Sequence, residues 1–177
     1  MITIRPEQSE DEEGLFRMYC QACGRIHEAR LVDSLRENQG LFLSLVAIQE
    51  GQIVGGIAFS AVEMEPQAFE LFLVGLAPLA VLPTHRGQGI GSTLVRLGLQ
   101  RCRERQVDAV VVVGDPEFYG KFGFVAATPH RLTCSFPVPA PHWLVQELKA
   151  GALTDVRGRI KYRPEFQDLF SSHPESP

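Results

Sequence analysis

The chain has 177 residues, 45% hydrophobic and 21% charged, with 17 Lys and Arg against 21 Asp and Glu for a net charge of −4. That length suits one domain with a proper core, and the composition excludes a mostly disordered or collagen-like polypeptide. A chain that recruits nucleic acid by bulk charge is basic, so no nucleic-acid partner is expected.

Met1 leads straight into Ile2-Thr3-Ile4-Arg5-Pro6, an alternating strand with no basic-then-apolar leader. Ser9-Glu10-Asp11-Glu12 has the S-x-x-E form of a capping box, and Leu15, Met18, Tyr19 and Ala22 follow at helical spacing. A second helix is expected over Glu28 to Asn38, carrying Leu31, Val32 and Leu35 and ending near Gly40. Leu43 to Ile48 and Ile53 to Val62 flank Gln49-Glu50-Gly51-Gln52 and read as a hairpin. Phe69 to Val81 supplies one long strand, or two segments joined by a kink at Gly75 to Pro78, with a bulge or an edge at the proline.

The longest apolar run, Leu71 to Leu82, is broken by Gly75 and Pro78 and falls short of the ~20 residues of a membrane span. A cytoplasmic protein with no membrane partner is therefore expected. Ile90 to Arg105 reads as a helix with a polar stripe of Ser92, Arg96, Gln100 and Arg103. Ala109 to Val113 is a continuous β-branched run of the kind covered on both faces. Asp115-Pro116-Glu117 combines an N-cap, a proline at the first helical position and an acid in the first turn, and Gly123 ends that short helix before Phe124-Val125. Trp143 to Leu148 and Gly158 to Tyr162 are further strands, so the element order is mixed α/β.

Cys20 and Cys23 form a C-x-x-C with His27 nearby, alongside Cys102 and Cys134. The pair falls inside a helix and no second ligand pair completes a tetrahedral site, so the cysteines are read as small packing residues and no metal is expected. Arg157, Arg159, Lys161 and Arg163 alternate with Gly158, Ile160 and Tyr162, which puts four cations on one strand face. The expectation is a solvated face that discourages edge-to-edge association, in preference to a site for an acidic substrate or a phosphate.

The informative stretch is Val81-Leu82-Pro83-Thr84-His85-Arg86-Gly87-Gln88-Gly89-Ile90-Gly91. A buried strand ends, three glycines follow, and a long helix begins. Glycines let the backbone approach a ligand, and a helix N-terminus adds unpaired amides and partial positive charge, which together make a phosphate cradle. A P-loop would need a lysine that is absent. The Rossmann G-x-G-x-x-G fails because Ser92 stands where its last glycine would be. A nucleotide- or dinucleotide-binding enzyme thus fails on spacing.

Arg86, Gly89 and Gly91 give R-x-x-G-x-G after a strand ending in Val81-Leu82-Pro83, and Tyr119-Gly120-Lys121-Phe122-Gly123-Phe124 gives Y-x-x-x-G-F after the next strand. In these two blocks, over about residues 74–125, the chain resembles the GNAT-type N-acetyltransferase superfamily. Gly114-Asp115-Pro116-Glu117-Phe118-Tyr119 and the tail resemble its YhbS-like branch. The resemblance implies a single GNAT-like domain over 1–177, with a core over 1–130 and a strand-containing extension over 131–177. The implied fold is a twisted mixed sheet flanked by helices, with a splayed central strand pair.

The implied co-substrate is acetyl-CoA. Amides from Arg86, Gly87, Gln88, Gly89, Ile90, Gly91 and Ser92 would hold its pyrophosphate, and the backbone of Leu79, Ala80 and Val81 would pair with its pantetheine arm. A kink near Pro78 would splay this strand from Ala109–Val113. Tyr119 is the candidate general acid for the departing thiolate. No residue claims the general base: Glu63, Glu65 and Glu70 are candidates through water, and His85 is read as a surface residue. Where many members carry an asparagine after the central strand, this chain has Gly114-Asp115-Pro116, and Asp115 is read as a helix cap. The expected function is acetyl transfer to an amine-bearing acceptor, a small molecule or a peptide or protein, by direct attack, and a homodimer is compatible with it. The rival is a non-catalytic acyl-CoA-binding sensor or interaction module on the same fold.

Overall fold

In the computed structural model residues 1–66 and 70–171 are described. The elements are β1 (Ile2–Pro6), α1 (Glu12–Cys23), α2 (His27–Glu37), β2 (Leu41–Gln49), β3 (Gln52–Glu65), β4 (Leu73–Val81), α3 (Ile90–Glu104) and β5 (Ala109–Val113). They continue as α4 (Pro116–Gly120), β6 (Val125–Ala126), β7 (Leu132–Cys134), β8 (Trp143–Glu147), β9 (Gly158–Lys161) and α5 (Gln167–Ser171). The expected strand start at Phe69 lies outside the described residues. The chain forms two compact units, Met1–Ser60 with Ala77–Gly98 and Pro164–Pro177, and Ala61–Leu76 with Leu99–Arg163. Mixed strand pairing with flanking helices makes the fold the α/β class expected.

In the first unit the strands run in the order β1-β2-β3-β4. The β2–β3 hairpin turns at Glu50 and Gly51, both at positive φ (52° and 78°), the pair of left-handed residues that a two-residue hairpin requires. Adjacent glycines on β3 let helices approach both faces. A Cβ on Gly56 would stand 2.7 Å from Leu15 and 3.0 Å from the Tyr19 hydroxyl on α1, while one on Gly55 would meet Ile90 and Leu94 of α3 at 3.3 Å. Gly98 likewise yields to the Phe59 ring, 2.6 Å from where its Cβ would be. Leu15, Met18, Tyr19, Ala29, Val32, Val46 and Ala58 close the core between α1, α2 and the sheet, with Cys20 and Cys23 half-buried against it.

The capping box before α1 is displaced from the expected Ser9–Glu12 pair. Asp11 accepts the Gln8 amide at 2.8 Å and is held from the other side by both terminal nitrogens of Arg5, at 2.5 and 2.9 Å. A bidentate arginine on β1 fixes the carboxylate that caps, and the box moves one residue back accordingly. These bonds, that to Arg5 foremost, hold the Asp11 carboxyl below its ordinary range. The stabilisation is therefore complete above about pH 4 and is lost as pH falls through the lowered folded value. Asp11→Ala should cost about 1–2 kcal/mol at pH 7. In urea melts the gap between variant and wild type should close as pH falls through that lowered value.

In the second unit β4 pairs in parallel with β5 from Leu73↔Ala109 to Gly75↔Val111, and the described ladder ends there. β8 pairs with β5 antiparallel from Ala109↔Glu147 to Val113↔Trp143, and the two-residue β6 lies outside β8. Gly75 is required by packing: a Cβ would sit 2.7 Å from the Tyr162 ring. The Trp143 indole N–H reaches the Leu132 carbonyl at 3.0 Å.

The basic stripe needs a correction. Arg157, Arg159 and Lys161 are exposed, as a solvated face should be, but β9 is no free edge. It pairs antiparallel with β3 and parallel with β7, so its charges protect no open ladder. Lys161 stands opposite Glu63, and Arg159 opposite Glu65, so β3 supplies the counter-charges.

Candidate active site

The glycine loop belongs wholly to the first unit. Leu82 donates its amide to Val54 of β3 at 2.9 Å, and a 3-10 turn over Pro83–His85 lowers the chain away from the sheet. By strand alternation, Ala80 shares the β3 side with Leu82, while Leu79 and Val81 turn their polar groups to the other edge. Gly87 and Gly89 both take positive φ, 76° and 79°, which only glycine adopts without strain. A Cβ at either would meet nothing within 4 Å, so the space before the loop is open. Ile90 opens α3 and is buried through the seat that Gly55 provides. Thr93 is the first residue to close a helical bond, its amide and hydroxyl both reaching Gly89 O (2.9 and 3.0 Å).

The amides of the preceding turn have no i−4 carbonyl, and the helix dipole adds positive potential there. From Leu71 to Arg103 the sequence carries no acidic side chain. Open backbone, unpaired amides and absent carboxylates fit a pyrophosphate. Arg86 contributes less than expected: its amide closes the 3-10 turn on Pro83 O at 3.4 Å, and its guanidinium bonds the Val81 carbonyl at 3.1 Å. His85 is half-buried at the surface and is tied through Nδ1 to the Thr84 hydroxyl at 2.9 Å.

Tyr119 belongs to the second unit. Asp115 accepts the Glu117 amide at 2.9 Å, the N-cap expected, and starts the short α4 that carries the tyrosine. Its ring meets Phe118 and Phe124 edge-on at centroid distances of 5.0 and 5.5 Å. It also lies over Gly114, whose Cβ would be 2.3 Å from the ring. Burial pushes the phenol well above its usual value, so it holds its proton throughout the physiological range. Gly114→Ala should displace the ring and cost about 1–3 kcal/mol in a denaturant melt. Near-ultraviolet dichroism should report the moved aromatic cluster; an unchanged melt would mean that the contact is slack.

One residue that sequence reading passed over stands beside this group. Gly114 donates its amide to His142 O at 2.9 Å, and the His142 ring donates from Nδ1 back to Gly114 O at 3.1 Å. Only the pairing of β5 with β8 brings them together, and no local motif announces it. Of the base candidates, Glu63, Glu65 and Glu70 are all exposed, and Glu65 is ion-paired with Lys161 at 3.2 Å. Burial pushes the Cys23 thiol up to about 11. Among the described residues no group of three or more metal-ligating side chains occurs, and no helix is long and apolar enough to cross a membrane.

Residues 4–124 match the model of the Acetyltransferase (GNAT) family. The chain is 40% identical over 166 residues to the uncharacterized N-acetyltransferase YhbS of Escherichia coli (strain K12), covering 93% of this chain and 98% of that protein. It is 31% identical to a second such protein of the same strain, YjhQ, over 90% and 91% of the two lengths. The crystal structure of Escherichia coli YhbS in complex with CoA superposes with a TM-score of 0.88 at 39% identity, over 93% of this chain and 91% of that one. A GNAT family acetyltransferase from Brucella melitensis in complex with acetyl-CoA gives 0.78 at 30% identity, over 94% and 98%. A family model spanning most of the chain, and relatives this similar over nearly their whole length, carry the conclusion that the chain belongs to the GNAT family of N-acetyltransferases.

Proposed function

We propose that the chain is an acetyl-CoA-dependent N-acetyltransferase that works by direct attack in a ternary complex. The observation that carries this reading is the cradle at the start of α3: left-handed glycines facing open space, followed by a helical turn of unpaired amides. The amides of Gly87 to Ser92 hold the pyrophosphate. Leu79 and Val81, on the β4 edge away from β3, receive the pantetheine amides as an added strand would. YhbS of Escherichia coli crystallised with CoA, and the Brucella melitensis relative with acetyl-CoA, support the same donor here.

Chemically, the acceptor amine attacks the acetyl carbonyl. A C–N bond forms as the C–S bond breaks, the departing sulfur takes the Tyr119 proton, and the amine's surplus proton leaves to solvent. Tyr119 then regains a proton from water, so atoms and charge balance. Backbone amides of β4 near Pro78 stabilise the oxyanion; one such donor is typically worth ~3 kcal/mol. Proximity in the ternary complex supplies much of the remaining acceleration. The same reading takes residues 1–177 as one cytoplasmic GNAT-like domain, and a measurement of mass in solution decides between monomer and homodimer.

The test is release of CoA thiol from acetyl-CoA with small amines, peptide N-termini and lysine peptides as acceptors. Amine-dependent release with a matching acetylated product supports the enzyme. Tight acetyl-CoA binding with no turnover on any amine would favour the acyl-CoA sensor instead.

A further inference from the structure

Arg86 opens the R-x-x-G-x-G block, and a cation at the mouth of a phosphate cradle suggests direct contact with the phosphates. Its guanidinium is engaged elsewhere. Nε donates to the carbonyl of Val81, the last residue of β4, at 3.1 Å, and Nη2 donates to the carbonyl of Ala22 at 2.8 Å. Ala22 lies in the last turn of α1, whose final carbonyls lack intrahelical donors and whose dipole end favours a cation. Gly24, left-handed at φ 68°, closes the helix on Cys20 O at 3.0 Å, and Arg86 takes the Ala22 carbonyl. One planar group thus joins the end of β4, the glycine loop and the end of α1, all within the first unit.

We propose that Arg86 is a positioning residue: a strut that holds the loop in its cofactor-ready shape through its two-pronged geometry, and that links donor binding to the last turn of α1. The proposal rests on the acetyl-CoA reading above and adds the means by which the loop is kept in place. Val81 and Ala22 are reached from two nitrogens of one rigid plane. A lysine keeps the charge but offers a single nitrogen at the end of a flexible stem, so geometry and charge can be separated.

The experiment measures acetyl-CoA affinity by calorimetry for the wild type, Arg86→Lys and Arg86→Gln at low and high salt, with a thermal melt of each free protein. The strut predicts that both variants weaken binding alike, by roughly tenfold or more, as loss of charge-assisted hydrogen bonds would do. It also predicts an unchanged salt dependence, because no charge facing phosphate has been removed. Hydrogen exchange supplies the reading that a loss of general stability would not give. Acetyl-CoA should slow exchange of the amides of the last α1 turn and Gly24 in the wild type, and this remote protection should vanish in both variants.

Near-wild-type affinity in Arg86→Lys, with a weakened and less salt-dependent Arg86→Gln, would overturn the strut in favour of direct phosphate contact. Wild-type affinity in both variants, or undiminished protection of the α1 end, would also overturn it. Failure of the wild type itself to bind acetyl-CoA is a separate result, since it removes the donor assignment of the loop and leaves the two hydrogen bonds without this function.

Discussion

Tyr119→Phe is expected to lower turnover by about 10²–10⁴-fold, the usual worth of a positioned general acid, while acetyl-CoA affinity stays within about twofold. The substitution suits the question because the ring is held by packing: Phe118 and Phe124 meet it edge-on, and Gly114 lies beneath it. Phenylalanine keeps those contacts and removes one oxygen. Burial raises the phenol above its usual value, so the proton is present at neutral pH and none is lost to solvent before reaction. A phenol so raised is a weak acid in water, and it protonates the thiolate readily only if burial raises the thiol's own value as well. The raised value also sets the pH dependence. Any alkaline loss of activity through Tyr119 should begin above pH ~10. Unchanged turnover in Tyr119→Phe, measured where chemistry limits the rate, would leave the tyrosine with its packing role alone.

Gly89→Val should remove acetyl-CoA binding, weakening it by roughly a hundredfold or more, because the side chain enters the open space that the proposed cradle gives to phosphate. The surroundings make this a binding effect first. At φ 79° a β-branched residue is strained, which costs about 1–2 kcal/mol, yet its Cβ would touch no protein atom within 4 Å. The variant should therefore fold, with a melting temperature only a few degrees lower. Gly87→Val, at φ 76° with the same open surroundings, should behave similarly. Wild-type affinity in a folded Gly89→Val protein would show that the pyrophosphate does not lie against this backbone.

Much of the fold was legible because local chemistry and tertiary context agree. Ala109 to Val113 reads as a doubly covered strand and is one, since β-branched residues leave it little choice. Asp115-Pro116-Glu117 announced its helix through a cap that needs only neighbouring atoms. The hairpin turn at Glu50-Gly51 was equally local. What escaped notice depends on distant partners. The capping box moved because Arg5, on another element, holds Asp11. β7 carries no signal in the sequence and β9 reads there as an edge, because three- and four-residue strands declare their neighbours only after folding.

The site divides in the same way. The glycine loop, the helix start and the short helix that carries Tyr119 lie in contiguous motifs, so their local structure could be read in sequence. The commitment of the Arg86 guanidinium to Ala22 spans 64 positions, and the His142–Gly114 pair spans 28, and no spacing rule predicts either. The cations that stand opposite Glu63 and Glu65 on β9 belong to a pairing that the sequence does not reveal. Acceptor choice is hidden for a related reason, since it resides in loops whose shape the rest of the fold determines.

The most direct measurement is thermal unfolding of the wild-type chain with acetyl-CoA, ATP and NAD at matched concentrations. A ligand at one hundred times its Kd adds about 2.7 kcal/mol, a shift of several degrees for a protein of this size. Stabilisation by acetyl-CoA, with little from the two nucleotides, is the expected result. No shift with acetyl-CoA, or an equal shift with ATP, would contradict the assignment of the Gly87–Ser92 cradle to an acetyl donor.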